Sequence, residues 1–345
     1  MRLSAYIYSY VSGHALCMAA ALLCMLFTGC QRRPLEDPEY FTKVNVEVNI
    51  DDLQNVTCDI YNPKVQVPAI EPEAMHAIFF NASDGSVTTE TFLSGISVNE
   101  KGRRVVSGEM ALLPGTYKML IYDYGTDATL VKDYYSWDNA VAYTDHAPDI
   151  VLKQYASKSE GDGIEIFQEP EHLMVARNPQ EKVPYHIGVH TIYAEARSVV
   201  ESWYLQIKVN GIDYVSGAQA MITGMTGSNL IATDTRVNQP ETGLWFRLQK
   251  SDDNGVPVIC AVFNTFGHIE SSESRLDITV LLNTSDGKKV ARTFDISKLF
   301  RSENAVLHHW LLLDETITID PPIEGGSGYN PKVDDWDEEH RDIDL

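Results

Sequence analysis

Cys30 follows Thr28-Gly29 at the end of an apolar run, and Arg32-Arg33 come immediately after it. Small residues before a cysteine keep the backbone extended and unobstructed for a processing peptidase, and the thiol of the new first residue can then carry lipid. The run from Ala15 is about 13 residues long, short of the roughly 20 needed to cross a bilayer as a helix, and it fits the h-region of an export signal. The pattern predicts cleavage between Gly29 and Cys30 and lipidation of Cys30. An ordinary secretory signal that happens to contain cysteines is the alternative. Arg2 is the only charge before Cys30, and Phe27 stands where leucine is usual.

Other reactive side chains do not assemble into a catalytic pattern. His186 and His190 share a face only on a helix; on a strand the same spacing is about 13 Å, too far to grip one ion. His308 and His309, as neighbours on a strand, point to opposite faces. The sequence has neither Cys-x-x-Cys nor His-Glu-x-x-His for zinc, no G-x-S-x-G elbow and no phosphate loop with its lysine; GMTGS at Gly224 to Ser228 completes neither. GDGIEI lacks the third glycine of a dinucleotide loop, Ile166 standing in its place. Acids in the turns at Asp252 to Gly255 and Asp286-Gly287 do not follow an EF-hand spacing. Carboxylate pairs for glycoside hydrolysis have no distinguishing pattern among so many acids. The expectation is a protein that is not an enzyme, with no cofactor and no metal.

Aromatic residues form a separate set. Tyr134, Tyr135, Trp137 and Tyr143 cluster in KDYYSWDNAVAY. Flat rings beside Asp and Asn suit a glycan contact; equally, they suit a patch sealing a long connection over a sheet. Trp336 lies in a terminal block whose seven acids face only Arg341. Such a block reads as a solvated tail, with Trp336 as a candidate anchor for a partner's groove.

The elements that would position these residues are strands. Val44, Val46, Val48 and Ile50 alternate with polar residues, the signature of a half-buried strand. Further strands are predicted at Met75 to Phe80, Val87 to Phe92, Gly108 to Leu113, Tyr117 to Tyr122 and Ile150 to Leu152. Pro114-Gly115 predicts a tight reversal. In the second half, strands are predicted from Trp203 to Val209 into an Asn210-Gly211 hairpin, then at Leu244 to Leu248, Val258 to Phe263, Leu276 to Leu282, Val290 to Phe294 and Trp310 to Ile319. NASDGS at Asn81 and NTSDGK at Asn283 read as one turn solution used twice. Apolar alternation fades between Ala156 and Glu171, which sets the predicted domain boundary.

The 345 residues carry a net charge of −22, and removal of residues 1–29, with one arginine and no acid, leaves −23. That balance argues against nucleic acid and against docking on anionic lipid by charge. Lipid on Cys30 would supply the membrane affinity instead, at ~0.8 kcal/mol per buried methylene. With Cys17 and Cys24 in the signal, Cys58 and Cys260 remain; buried free thiols are expected, with a disulfide as the other state. The reading is all-β, with two tandem β-sandwich domains after a lipoprotein signal peptide: signal 1–29, lipidated leash 30–43, sandwiches 44–158 and 170–320, and acidic tail 321–345.

RPLEDPEY at Arg33 to Tyr40, MALLPGTYKMLIYDYG at Met110 to Gly125, GIDYVSGAQAMITGMTGS at Gly211 to Ser228 and VDDW at Val333 to Trp336, in that order, resemble Bacteroidales fimbrial anchor and tip lipoproteins. The resemblance covers nearly the whole chain. It implies two transthyretin-like sandwiches, a lipid-anchored place at the outer membrane and cell surface, fimbrial subunits as partners, and assembly by strand addition. Shaft subunits of that family lose an N-terminal strand to an arginine-specific protease. The pairs Arg32-Arg33 and Arg103-Arg104 suit that cleavage poorly, which favours an anchor, cap or tip. A surface glycan-binding lipoprotein is the alternative function.

Overall fold

The computed structural model describes residues 40–51, 57–67, 72–155, 164–238, 240–269, 275–322 and 340–342; Gly29, Cys30 and Trp336 lie outside them. The fold is all-β. Its first part runs through β1 (Thr42–Asn49), β2 (Met75–Asn81), β3 (Val87–Leu93), β4 (Gly95–Val98), β5 (Arg104–Leu112), β6 (Gly115–Asp123), β7 (Thr129–Lys132), β8 (Val141–Thr144), helix α1 (Asp149–Tyr155), β9 (Glu165–Gln168), β10 (Met174–Val183), β11 (Val189–Glu195) and β12 (Arg197–Ser198). A sheet ordered β11-β1-β5-β4 faces one ordered β12-β10-β6-β2-β3. Between them Val44, Val46 and Val48 from β1 meet Met75, Ala77 and Phe79 from β2 and Met119 and Ile121 from β6. Full burial of each larger apolar side chain contributes ~1.5–3 kcal/mol, so the alternation read in β1 fixes which face turns inward.

The second part holds β13 (Glu201–Asn210), β14 (Val215–Met225), β15 (Ser228–Leu230), β16 (Thr235–Arg236), β17 (Thr242–Asp253), β18 (Val256–Thr265), β19 (Asp277–Thr284), β20 (Lys289–Asp295), α2 (Glu303–His308), β21 (Trp310–Thr318) and β22 (His340–Asp342). One sheet, ordered β21-β13-β18-β17-β14-β19-β20-β22, folds over its own core. The fold is made at β17, whose residues up to Leu248 pair with β14 and whose residues from Gln249 pair with β18. A small sheet ordered β16-β15-β8-β7 joins segments of both parts.

Several expectations are corrected. Sheet pairing crosses the boundary expected near 158–170: β9 adds in parallel to β17, after which β10, β11 and β12 return to the first two sheets. Apart from β7, β8 and β9, strands up to Ser198 pair within the first two sheets, and β13, from Glu201, pairs within the large sheet. Ile150 to Leu152 lies in a helix, not a strand. Val151 and Tyr155, four apart on one helical face, are buried against Trp245, Leu281 and Ala291.

Asn210-Gly211 does not close a hairpin, because β13 pairs with β18 and β21 and β14 pairs with β17 and β19. Pro114-Gly115 likewise turns the chain from one sheet to the other. The two similar turn phrases differ in length. Asn81 bonds through its N–H to Ser86 O, whereas Thr284 bonds to Lys288 O, one residue sooner. Within the expected solvated tail, the backbone of β22 pairs in parallel with β20.

Candidate functional site

Cross-strand register builds an aromatic site on the outer face of the five-stranded sheet. Tyr122 on β6, His76 on β2 and Phe92 on β3 lie side by side in one row, and Ile78 pairs with Glu90 in the next. Phe92 stacks on the His76 ring at 4.6 Å between centroids, and Tyr124 meets Phe92 edge-on at 5.0 Å. A bridge between Ser86 and Ser136 holds the loop after β7 beside β3, so that Tyr134 meets His76 at 5.5 Å and Tyr135 at 6.0 Å. His76 Nδ1 lies 2.9 Å from the Tyr122 hydroxyl and its Nε2 3.0 Å from Glu90 Oε2. Burial pushes the His76 imidazole below its ordinary pKa against the pull of Glu90, and pushes the Tyr122 phenol up.

Of the aromatic residues singled out in sequence, Tyr135 is 63% exposed and Tyr134 38%, but Trp137 only 5%. Its burial leaves Trp137 little surface to offer a glycan or a partner. It packs edge-on against Phe80 at 5.8 Å, beneath the Lys118 ammonium, and seals the loop onto the sheet. Sequence reasoning missed Phe92, Tyr124, His76 and Glu90 as members of the site. Their signal is strand pairing, which adjacency in the chain does not reveal.

A second feature is a free strand edge. Among the described residues, β11 pairs with β1 on one side and ends its sheet on the other. Val189 and Tyr193 on this edge, with Tyr185 and Ile187 leading into it, are exposed. Exposed apolar edge strands are templates for pairing with another chain, and natural proteins usually blunt them with charge. β4, at the opposite edge, also carries exposed Ile96 and Val98 but is four residues long.

A family model described as a domain of unknown function, DUF5119, matches residues 39–245. The chain belongs to this family. The matched region of DUF5119 contains β1, the aromatic site and the β11 edge. The chain is 22% identical to a Bacteroides ovatus protein provisionally named a fimbrium anchoring subunit, Fim4B, over 90% of this chain and 92% of that one. A crystal structure from B. ovatus, provisionally described as an adhesin, matches with a TM-score of 0.57 and 20% identity, covering 86% of this chain and 99% of that chain. The likeness confirms the fold. The fimbrial anchor protein Mfa2 of Porphyromonas gingivalis aligns with a TM-score of 0.43 and 13% identity over 78% of this chain and 88% of that one. At that score it bears no weight on function.

The remaining reactive groups of this DUF5119 chain are accounted for locally. His186 and His190 are closer than a strand would place them, with ring centroids 6.3 Å apart. β11 begins only at Val189, and Gly188, at a φ of 109°, turns the chain before it. Among the described residues no three His, Cys, Asp or Glu side chains are grouped to hold a metal. His308 is the last residue of α2 and bonds Asp59, while His309, the C-cap of that helix at a φ of 57°, stacks on Trp203 at 4.6 Å.

Cys58 and Cys260 are free, buried members of one cluster, and burial pushes the Cys58 thiol up to about 11. A cleft of about 500 Å³ near the junction is lined by Glu201, Asn229, Asp234, Arg236 and His268. Its charges pair with each other or nearby, Arg236 with Glu201 and Arg177 with Asp234. Arg103 and Arg104 sit at the β4–β5 turn and bond Glu195 and Asp51. No helix among the described residues is long and apolar enough to cross a membrane.

Proposed function

We propose that this protein is a non-catalytic, lipid-anchored cell-surface component of a fimbrium, acting as its anchor, cap or tip. The observation that carries the reading is the similarity along 90% of this chain and 92% of a relative named for fimbrium anchoring. Cys30, twelve residues ahead of β1, is the tether to the outer membrane. An extended chain reaches at most ~3.5 Å per residue, so the first sandwich stands within about 40 Å of the lipid.

Assembly proceeds by strand addition at the β11 edge. A partner strand gains main-chain hydrogen bonds along β11, and its alternate side chains meet the exposed apolar residues there. β1 holds its central place in the same sheet through paired strands on both sides. The acidic surface keeps the protein off anionic lipid except through its tether, and Trp336 in the tail is assigned to partner contact. Glycan recognition is less well supported, since the largest ring of the predicted set, Trp137, is buried.

The test is fractionation together with shear. Cys30→Ala should leave the fold intact and release the protein from membranes, and cells lacking the protein should shed fimbriae on shearing or display them at altered length. Retention of Cys30→Ala in the membrane fraction would remove the tether. Unchanged fimbrial length and retention in the deletion strain would remove the fimbrial role.

A further inference from the structure

The aromatic site has a charge that nothing among the described residues neutralises. Glu90 and Phe92 stand on the same face of β3, and the only charged or chargeable partner of the Glu90 carboxylate among the described residues is His76. His76 is 3% exposed, and its burial favours the neutral imidazole, so this contact is a hydrogen bond and leaves the negative charge in place. Among the described residues the Asp133 carboxylate is bonded only by the Tyr135 hydroxyl, and Glu73 and Glu171 act on Asp123 between Tyr122 and Tyr124. Carboxylates thus stand on several sides of the exposed rings.

The protein's lysines show what such rings accept. Lys101 lies over Tyr193, Lys132 over Tyr143 and Lys118 over Trp137, each ammonium 4.8 to 5.7 Å from the ring centroid. Among the described residues no lysine or arginine covers Phe92, Tyr124, Tyr134 or Tyr135, although these rings expose between 38% and 63% of their surface. A contiguous exposed aromatic patch marks an interaction site, and rings beside an unpaired carboxylate attract an organic cation through both the π-face and the charge.

We propose that Phe92, Tyr124, Tyr134 and Tyr135, with the Glu90 carboxylate, dock a lysine or arginine side chain carried by an extended basic segment of a partner protein. The patch lies on the opposite sheet from the β11 edge and stands or falls independently of strand addition.

The probes are blocked hexapeptides alternating lysine with valine, arginine with valine, and glutamine with valine, titrated into the full chain in detergent and followed by tyrosine fluorescence and calorimetry. Both basic peptides should saturate and the glutamine peptide should not. Glu90→Gln and Tyr135→Ala should each weaken binding roughly three- to fivefold, with unchanged melting curves, and added salt should weaken it in the parent more than in Glu90→Gln. Basic peptides that bind no better than the glutamine peptide would overturn the proposal. So would variants that bind like the parent, or saturable binding of a neutral oligosaccharide in place of the basic peptides.

Discussion

Trp310 donates its indole Nε1–H to the carbonyl oxygen of Asp59 at 3.0 Å, across 251 positions of sequence. The bond belongs to a strap, residues 57–67, that leaves the first sandwich after β1 and lies on the outer face of β13, β18 and β21. Asp59 also pairs with His308, and Asn62 donates to the Asp252 carbonyl at 3.1 Å. Lys64 pairs with Asp252. Together with the sheet formed by β7, β8, β15 and β16, the strap ties the two parts to each other.

Tyr61 is the centre of that strap. It stacks on Tyr204 at 5.2 Å, meets Trp310 edge-on at 5.0 Å and donates to Asp253 at 3.2 Å. Tyr61→Ala should cost about 2–4 kcal/mol from lost burial and two aromatic pairs. It should also split one cooperative urea transition into two. A single transition with an unchanged midpoint would show that the strap carries no load.

Gly211 has a φ of 79°, and a Cβ built there would lie 2.2 Å from the Ile319 carbonyl oxygen. Neither the backbone region nor the close approach of the end of β21 tolerates a side chain. Gly211→Ala should destabilise the second part by roughly 2–4 kcal/mol, read as a shift of the denaturation midpoint. Gly255→Ala is the control: it shares the positive φ but has open space, and should cost less.

The same glycine shows what sequence could and could not reveal. Gly211 takes a positive φ, yet the partner of each flanking strand is chosen by long-range pairing, and the hairpin expected from Asn210-Gly211 does not form. β1 was legible because its alternation is unbroken. β10 was not, because Pro179 and Gln180 sit at a register shift that interrupts its pattern. The helix α1 was hidden because a three-residue apolar run has no period of its own. At the aromatic site the contiguous pair Tyr134-Tyr135 was visible, whereas His76, Glu90 and Phe92 join it only through register. The strap was invisible because its few apolar residues acquire meaning only against a surface more than a hundred residues away.

Two titrating groups near the junction oppose one another. Burial raises the Glu169 carboxyl to about 7, despite a bond from the Asn264 N–H, and lowers His172 to about 4 between Ser198 and Ser202. For Glu169 the folded pKa exceeds the unfolded value of ~4.3, so its contribution to stability is complete below that pH and lost as pH rises towards 7. For His172 the folded pKa is depressed from ~6.5, so its contribution is complete above that value and lost as pH falls through 4. The two nearly cancel between pH 4.5 and 6.5. Glu169→Gln should raise stability at pH 8 by about 1–2 kcal/mol, allowing for solvent screening of a half-buried carboxylate, and change it little at pH 4.5. Equal effects at both pH values would mean that Glu169 does not titrate in this window.

The β11 edge gives the most direct test of assembly. Val189 is exposed on an unpaired edge and contributes no core side chain, so Val189→Lys should leave the melting temperature within about 2 °C of the parent. A lysine there places a charge that a pairing strand would have to bury or displace, the device by which natural edge strands avoid association. In-cell crosslinking to the fimbrial partner should therefore fall by roughly tenfold in Val189→Lys, while Val98→Lys on the short β4 edge leaves it unchanged. Loss of crosslinking in Val98→Lys alone would move the docking edge to β4, and undiminished crosslinking in both variants would rule out addition at either edge of this sheet.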